Sequence, residues 1–411
     1  VLNRAAFGPW PGDIAAFNAL GATDDQRITA WTDAQLNPAA IPDTDCDTRL
    51  AGSGFTTLNK PLAQLWAEHV LGSPPWEVRM RPVWETQRAT FIRAVYSRRQ
   101  LKEVLADFWH NHFNVFGEDS IQGPVFVHYD RDVIRAHMLG NFRQMLEAVA
   151  RSTGMLYMLD NYTSSVAGPN ENFARELFEL HTMGAENYLG VMRQDDVPVD
   201  PQGRPIGYVD ADVFEATRCF TGWSVANGQS GAPNTGVFHY RSSWHDRFQK
   251  RVLRVFIPQD QPELVDGGMV LDALAAHPGT ARFIARKLCR RLIGDTPSQA
   301  TVDAAAQVFY DQRAASDQLR QVVRAILLSA EFRATWGEKV KRPFEVVVSA
   351  MRAAGAQFPF SIGNGDADSF LWLYGSTGQQ LFNRRSPDGY PDKRAVWMAP
   401  NPRVGSWRLC T

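Results

Sequence analysis

The sequence lacks several features that assign a chain to a class of protein at once. Its 411 residues include four widely spaced cysteines and no Cys-x-x-Cys pair, which argues against a thiolate zinc site and a disulfide-dense scaffold but leaves one or two disulfides open. No apolar run approaches the roughly 18 residues of a membrane span. The 43 basic and 44 acidic residues nearly cancel, so no electrostatic footprint for a nucleic-acid backbone exists. We therefore expect no nucleic-acid partner and no transmembrane segment.

Common catalytic motifs are missing as well. The sequence contains no G-x-G-x-x-G after a strand pattern, no P-loop, no G-x-S-x-G elbow and no H-E-x-x-H. Nucleotide-dependent and serine-hydrolase functions therefore lose most of their support. Val1 in place of an initiator methionine predicts a trimmed N-terminus, as after signal-peptide cleavage or in a cut chain.

What the sequence has in abundance is helical periodicity. Apolar residues recur at helical spacing over 77–98, 101–110, 131–151, 170–183, 209–220, 279–293, 300–312, 315–333 and 341–354. Alternation typical of strands is confined to about 234–257, and the polar stretches 185–208 and 356–393 predict long loops near a working surface. We therefore expect an all-α fold, a single multi-helix domain over residues 1–411 with a small β-hairpin insertion at about 234–257.

The segment 170–183 is the first candidate for chemistry. At about 100° per residue its polar residues share one stripe, which contains Asn172, Glu176, Glu179 and Met183, with Arg175 at its edge. Two carboxylates three residues apart suit a general acid and its tuning partner, because like charges raise one pKa while arginine lowers the other. Glu176, at the centre, is the leading acid. The alternative is a solvated face on which Arg175 pairs with Glu171 or Glu179.

Histidines supply the second candidate. Asp107 and His110 lie one helical turn apart, so the carboxylate can orient the imidazole. If the helix ends near Asn111, His110 and His112 face one site and can bind a divalent metal, with His181 as a further ligand; if the helix continues, His112 points elsewhere. The alternative is histidines that only cap a helix C-terminus.

Two further segments carry polar and aromatic groups. Asp160 and Asn161 precede the Gly168-Pro169 break that leads into Asn170, which places Asp160 and Glu171 among the candidate catalytic carboxylates. Trp244, His245 and Asp246 lie in the predicted hairpin, where they either bind ligand or form a local turn. Tryptophans in polar settings can stack on sugar faces. The candidate substrate-binding residues are Asn161, Asn170, Asn172, Arg175, Trp223, Trp244, His245 and Asp246.

Several blocks of the sequence, in order, resemble the bacterial family called domain of unknown function 1800. They include LNRAAFGPWPGD near the start, FWHNHFNV at 108–115, GNFRQMLEAVARSTGMLYMLDN at 140–161, PNENFARELFELHTMG at 169–184, TRCFTGW at 217–223, HDRFQK at 245–250, ARFIARKLCRRLIGD at 281–295, KRPFEVVVSAMRAAG at 341–355 and GQQLFNRRSPDGYPD at 378–392. The resemblance implies a mainly helical protein exported by bacteria, often encoded beside sulfatase-like or phosphatase-like hydrolases. The family's polar motifs fall on His110, His112, Asn170, Glu171, Asn172, Arg175, Glu176, Glu179 and His181. The end of the chain soon after Trp407 predicts a truncated helical segment.

Together the residues and the resemblance predict a secreted or periplasmic hydrolase. Its expected substrate is a polysaccharide, cleaved by carboxylate acid/base chemistry without a cofactor. One alternative is a metal-dependent enzyme that holds a divalent ion with His110, His112 and the glutamate helix. Another is a non-catalytic scaffold that partners a sulfatase-like exported protein.

Overall fold

The computed structural model describes the chain from residue 1 to residue 410, and helix dominates it. The first part of the chain forms short and medium helices around one long central helix. Their bounds are α1 Asp13–Asn18, α2 Asp24–Gln35, α3 Thr44–Gly52, α4 Leu62–His69, α5 Trp76–Tyr96, α6 Gln100–His112, α7 Gln122–His128, α8 Arg135–His137, α9 Phe142–Arg151, α10 Thr153–Met158, α11 Asn172–Glu176 and α12 Asp210–Cys219. Two π-helical stretches, Tyr129–Ile134 and Leu177–His181, join α7 to α8 and extend α11.

The remaining helices follow a β region and pack back onto the first part. They are α13 Val265–Ala275, α14 Pro278–Leu292, α15 Gln299–Asp311, α16 Gln318–Leu327, α17 Ala330–Ala334, α18 Pro343–Ala353, α19 Gly365–Gly375, α20 Arg394–Trp397 and α21 Pro400–Cys410. The predicted all-α class is confirmed, and Gly140 lies between α8 and α9. The periodic stretch 315–333 contains two helices, α16 and α17, and not one. Ser329 lies between them and caps α17 by accepting the Phe332 N–H.

A continuous cluster of buried side chains connects the two parts. At its centre lies α5, whose Phe91 is fully buried and has edge contacts with Phe344 of α18 and with Phe370 and Tyr374 of α19. The prediction of a loop throughout 356–393 is therefore wrong over α19. Glycines obscure the helical periodicity of this segment in the sequence. In the structure, Asn364 caps α19, and burial of its aromatic side chains stabilises the helix.

The β region consists of two small antiparallel hairpins. Strands β1 Trp223–Asn227 and β2 Asn234–Tyr240 pair with each other, and β3 Lys250–Val252 pairs with β4 Val255–Ile257. The predicted hairpin of 234–257 thus covers β2 to β4 but misses β1. Four of the five β1 residues are buried, so this strand has no alternation for a sequence pattern to reveal.

Two further expectations concern cysteines and membranes. Cys46, Cys219 and Cys289 are free, buried thiols, so none of them forms a disulfide. Within residues 1–410, no helix combines the length and apolar character that crossing a bilayer requires.

Candidate functional site

The carboxylate-bearing helix begins regularly and ends as a π-helix. After the Gly168-Pro169 break, the Asn170 side chain accepts the Asn172 N–H at 3.0 Å, which starts α11. Phe173, Leu177 and Phe178 are buried and hold the helix against the core. The change to π geometry at Leu177–His181 alters the spacing on which the predicted stripe rests. Such π-turns are frequent at functional sites.

The first turn of this helix carries a paired surface network. Arg175 donates to Glu171 at 2.7 Å and to Asp210 at 3.1 Å. The Tyr188 hydroxyl donates to the same Asp210 oxygen at 2.7 Å. Here the structure agrees with the solvated-face alternative, because Glu171 and Arg175 neutralise each other in the open.

Glu176 and Glu179, one turn further on, differ from that network. Both are partly buried, and among residues 1–409 neither carboxylate has a hydrogen bond or an ion pair. Burial raises the pKa of Glu176, as do the charges of Glu179 and Asp388, while Arg175 opposes the shift. A carboxyl group that the protein leaves unpaired and keeps partly protonated can act as a general acid.

Tyr208 lies beside these two glutamates and was not singled out from the sequence. Its hydroxyl is buried and has no hydrogen-bond partner within the described part of the chain. Burial and the charge of Glu179 raise its pKa well above the usual value. Tyr208 ends the polar stretch 185–208, so this stretch brings a polar group close to the carboxylates.

His112 and His181 form a buried pair at the end of the π-helical stretch, with ring centroids 6.3 Å apart. His112 Nε2 lies 3.1 Å from the His181 carbonyl oxygen, so Nε2 carries the proton and Nδ1 is an acceptor. Neither His112 Nδ1 nor either ring nitrogen of His181 has a partner within the described chain. Burial and the nearby Lys287 lower the pKa of His181 to about 3 and that of His112 well below its usual range.

His110 belongs to a different environment from His112. Because α6 continues through His112, the two side chains diverge, which removes the expected shared site of His110 and His112. His110 Nε2 bonds to Asp130 at 2.8 Å, and Arg135 donates to the same carboxylate at 2.8 and 2.9 Å. The expected orienting role of Asp107 is therefore wrong. Burial alone would raise the pKa of Asp130, but Arg135 and His110 hold it below its usual value.

Asp107 instead supports a cavity that adjoins the carboxylate helix. It accepts a hydrogen bond from Arg342, whereas Arg291 pairs with Glu345 at 2.5 Å. The cavity has a volume of about 240 Å³, and we call it the cationic cavity because its walls contain Lys287, Arg290, Arg291, Arg342 and Lys393. Also in its walls are His112, Asn111, Asp388 and Tyr390.

The loop 384–392 closes one side of this cavity, and residues at the end of α6 and just beyond it hold the loop in place. The Asn114 amide donates to the carbonyls of Arg384 and Ser386 at 2.8 and 2.9 Å, and Asn111 accepts the Tyr390 N–H at 3.1 Å. Gly389, at φ 71°, lies so close to α6 that a Cβ there would approach the Asn111 carbonyl to 2.1 Å. The loop thereby positions Asp388, whose charge acts on both Glu176 and Lys287. The carboxylates and the cationic cavity are thus neighbours.

The structure places the Asp160 segment apart from this arrangement. Asp160 is exposed, in a left-handed turn at φ 58°, and its carbonyl caps the following turn. Asn161 is buried and donates to the carbonyls of Phe220 and Trp223, which ties β1 to the preceding helices. Trp223 itself is 2% exposed and packs between Phe220 and Phe238. Trp223 therefore presents no open face on which a sugar could stack.

Trp244, His245 and Asp246 belong to a group of mutually paired charges beneath the hairpins. We call this the paired cluster: Arg218, His245, Asp246, Lys250 and Asp266. Its hydrogen bonds are Arg218 to Asp246 at 2.8 Å, His245 to Asp266 at 3.0 Å and Lys250 to Asp266 at 2.6 Å. The Trp244 ring is covered by the Arg241 guanidinium at 4.4 Å. The cluster corresponds to the local-structure alternative for this segment.

The structure offers few ligands for a metal ion at His112 and His181. Among residues 1–409, no group of three or more His, Cys, Asp or Glu side chains is arranged to hold an ion. His112 and His181 supply only imidazoles, and Lys287 places a positive charge beside them. Protein zinc sites use three or four ligands, so a zinc ion here would need ligands besides these two imidazoles.

Comparison with known proteins identifies the family and nothing finer. Neither the curated proteins nor the solved structures include a match to this chain. A family model described as "Protein of unknown function (DUF1800)" matches residues 1–411, the whole length. The expected resemblance is therefore confirmed, and the chain belongs to the DUF1800 family.

Proposed function

We propose that this protein is a hydrolase that cleaves a polysaccharide by carboxylate acid/base catalysis, with Glu176 as the general acid. The observation that carries the proposal is the difference between two glutamates of one helix. Glu171 is exposed and paired with Arg175, whereas Glu176 is half-buried and unpaired and has a raised pKa. A raised pKa keeps a proton available for the leaving oxygen near neutral pH.

Glycoside hydrolysis needs a second carboxyl group at about 5–10 Å from the first. Glu179 lies on the same helix, so it approaches a substrate from the same side as Glu176. Asp388 comes from a separate loop, is exposed, and acts electrostatically on Glu176. We therefore assign the second role to Asp388 in preference to Asp160, since a residue on a facing loop can reach the opposite side of a sugar ring.

The family resemblance adds location and partner to this proposal. Members that are exported beside sulfatase-like proteins favour a secreted or periplasmic enzyme that works on a decorated polymer. The metal-dependent enzyme stays a second candidate on one observation, the adjacent and unpartnered imidazoles of His112 and His181. Elemental analysis of the purified protein distinguishes the two, because only the second candidate requires a bound divalent ion.

The decisive experiment measures the release of reducing ends from a panel of neutral and anionic polysaccharides. Glu176→Gln keeps the shape of the side chain and removes its proton transfer, so turnover should fall at least about a hundredfold. Glu147→Gln is the matched control, because Glu147 is also partly buried but is paired with Arg143 and Arg151. Circular dichroism checks that both variants fold. A folded Glu176→Gln protein with full activity would remove Glu176 from the mechanism.

A further inference from the structure

We infer that the cationic cavity binds the anionic group of a hydroxyl-bearing ligand, a carboxylate or sulfate substituent on a sugar. Cationic side chains in its walls outnumber carboxylates, even when the ion-pair partners Asp107, Glu345 and Lys339 are counted with them. Placing this cavity in the substrate site rests on the proposed function. That the cavity binds an anion does not.

Two buried guanidinium groups give the cavity wall a fixed positive charge. Arg291 and Arg342 are 3% and 1% exposed, and the ε-nitrogen of Arg291 lies 3.9 Å from the Asp107 carboxylate. Their terminal nitrogens are held by Glu345 and Asp107, so the orientation of each guanidinium is fixed. Fixed positive charge in the wall of a cavity favours an anion over a neutral group.

Lys287 adds a positive charge that no carboxylate neutralises directly. It has no ion pair or hydrogen bond among residues 1–409, and its ammonium group lies 5.4 Å from the centre of the Phe283 ring. Asp388 and Asp392 are near enough to act on it, yet Asp392 is already paired with Lys339 at 2.7 Å. The ammonium group is therefore free to bind a ligand.

The size of the cavity bears on the rest of the ligand. His112 lines the cavity with its ring, while its Nδ1 is enclosed by the protein, so the sugar part of the ligand follows from the proposed function and from the available space. The volume of about 240 Å³ equals that of roughly eight water molecules, which is comparable to a single sugar unit. Cationic side chains around a space of this size thus fit a single sugar unit that carries an acid group.

Isothermal titration calorimetry of the full chain tests this inference directly. The probes are glucuronate for a carboxylate, glucose 6-sulfate for a sulfate ester, and glucose as the uncharged control. We expect one of the charged sugars to bind at least about tenfold more tightly than glucose, as one hydrogen bond to a charged group implies. The tighter one identifies the anionic group. Equal affinity for all three sugars would overturn the inference.

A matched pair of variants locates the binding. Lys287→Met should weaken binding of the charged sugar at least about tenfold and leave that of glucose unchanged. Lys102→Met is the control, because Lys102 is likewise partly buried but lines other cavities. If both variants bind like the wild type, the cavity is not the site.

The pH dependence of wild-type binding requires no variant. Burial, and next Arg290, lower the pKa of Lys287 to about 8, so binding should be strong at pH 6–7 and decline as the pH rises through about 8. The titratable groups around Lys287 are Arg290, Glu186, His112, His181, Asp388 and Asp392. Affinity that does not change between pH 6 and pH 9 would contradict a role for the ammonium group.

The two proposals fail separately. Anion binding without release of reducing ends from any polysaccharide would leave the cavity assignment intact and overturn the hydrolase. Hydrolysis confined to neutral polysaccharides, without anion binding, would overturn the cavity assignment and leave Glu176 as the acid.

Discussion

The paired cluster and the cationic cavity are both rich in buried charge, but they use it in opposite ways. In the paired cluster, Lys250 is fully buried and donates to Asp266 and to two carbonyls. In the cationic cavity, Lys287 has no such partner among residues 1–409. Charges paired with one another fix the structure, whereas an accessible unpaired charge is available to a ligand.

The largest expected effect comes from breaking the paired cluster. Asp266→Asn leaves the buried Lys250 without its closest negative partner, so the free energy of unfolding should fall by about 3–5 kcal/mol. Asp272→Asn on the same helix is the control, because its ion pair with Arg143 is exposed, and it should change stability by less than about 1 kcal/mol. Urea denaturation measures both. Equal effects would mean that the paired cluster does not stabilise the fold.

A substitution that displaces the loop 384–392 beside the cationic cavity should have the next largest effect on stability and binding. Gly389→Ala adds a Cβ against the Asn111 carbonyl at a positive φ, at a cost of about 1–3 kcal/mol of local strain. Because this loop carries Asp388, the variant should also lose anion binding and activity. Gly363→Ala, also at a positive φ but with no atom near its Cβ, controls for backbone strain alone. Retained binding in Gly389→Ala would show that the loop does not form the site.

Removing the unpaired carboxylate should change stability in the opposite direction from Asp266→Asn. The fold raises the pKa of Glu176, so it favours the protonated form, and this contribution is lost as the pH rises through the folded-state pKa. Glu176→Gln should therefore gain stability relative to the wild type between about pH 4 and pH 7. Thermal unfolding at the two pH values measures the gain. A loss at pH 7 would indicate that Glu176 is a structural residue.

Sequence patterns could predict the helices, including the one that carries Glu176 and Glu179, because helical periodicity depends on local spacing. The Glu176 and Glu179 pair is a local feature, and so is the Gly168-Pro169 break before it. Lys287 and Tyr208 could not be selected, since each sits in an ordinary helix or loop and becomes notable only when tertiary contacts leave it unpaired. Asp388, which pairs with Arg384 at 3.3 Å, becomes notable only because the fold brings its charge near both Glu176 and Lys287. Conversely, the His245-Asp246 dipeptide attracts interest as a sequence, but Arg218, Lys250 and Asp266 neutralise it in the fold.

Lysine reactivity gives the finest comparison, because it contrasts two lysines of similar acidity. Burial lowers the pKa of both Lys287 and Lys341 to about 8, but Lys341 donates to Asn3 and Ser349 at 2.9 and 2.6 Å. Competitive labelling with trace acetic anhydride, read by mass spectrometry, should give both a midpoint near pH 8, below the ordinary lysine value of about 10.4.

The bound anion should separate these two lysines. An anion beside the ammonium group favours its charged form, so the preferred charged sugar, glucuronate or glucose 6-sulfate, should raise the midpoint of Lys287 and slow its labelling. Lys341 should not change, since its hydrogen bonds lie outside the cationic cavity. The uncharged control, glucose, should affect neither residue. Protection of both lysines by the charged sugar would point to a general change in the fold, whereas protection of neither would remove Lys287 from the binding site.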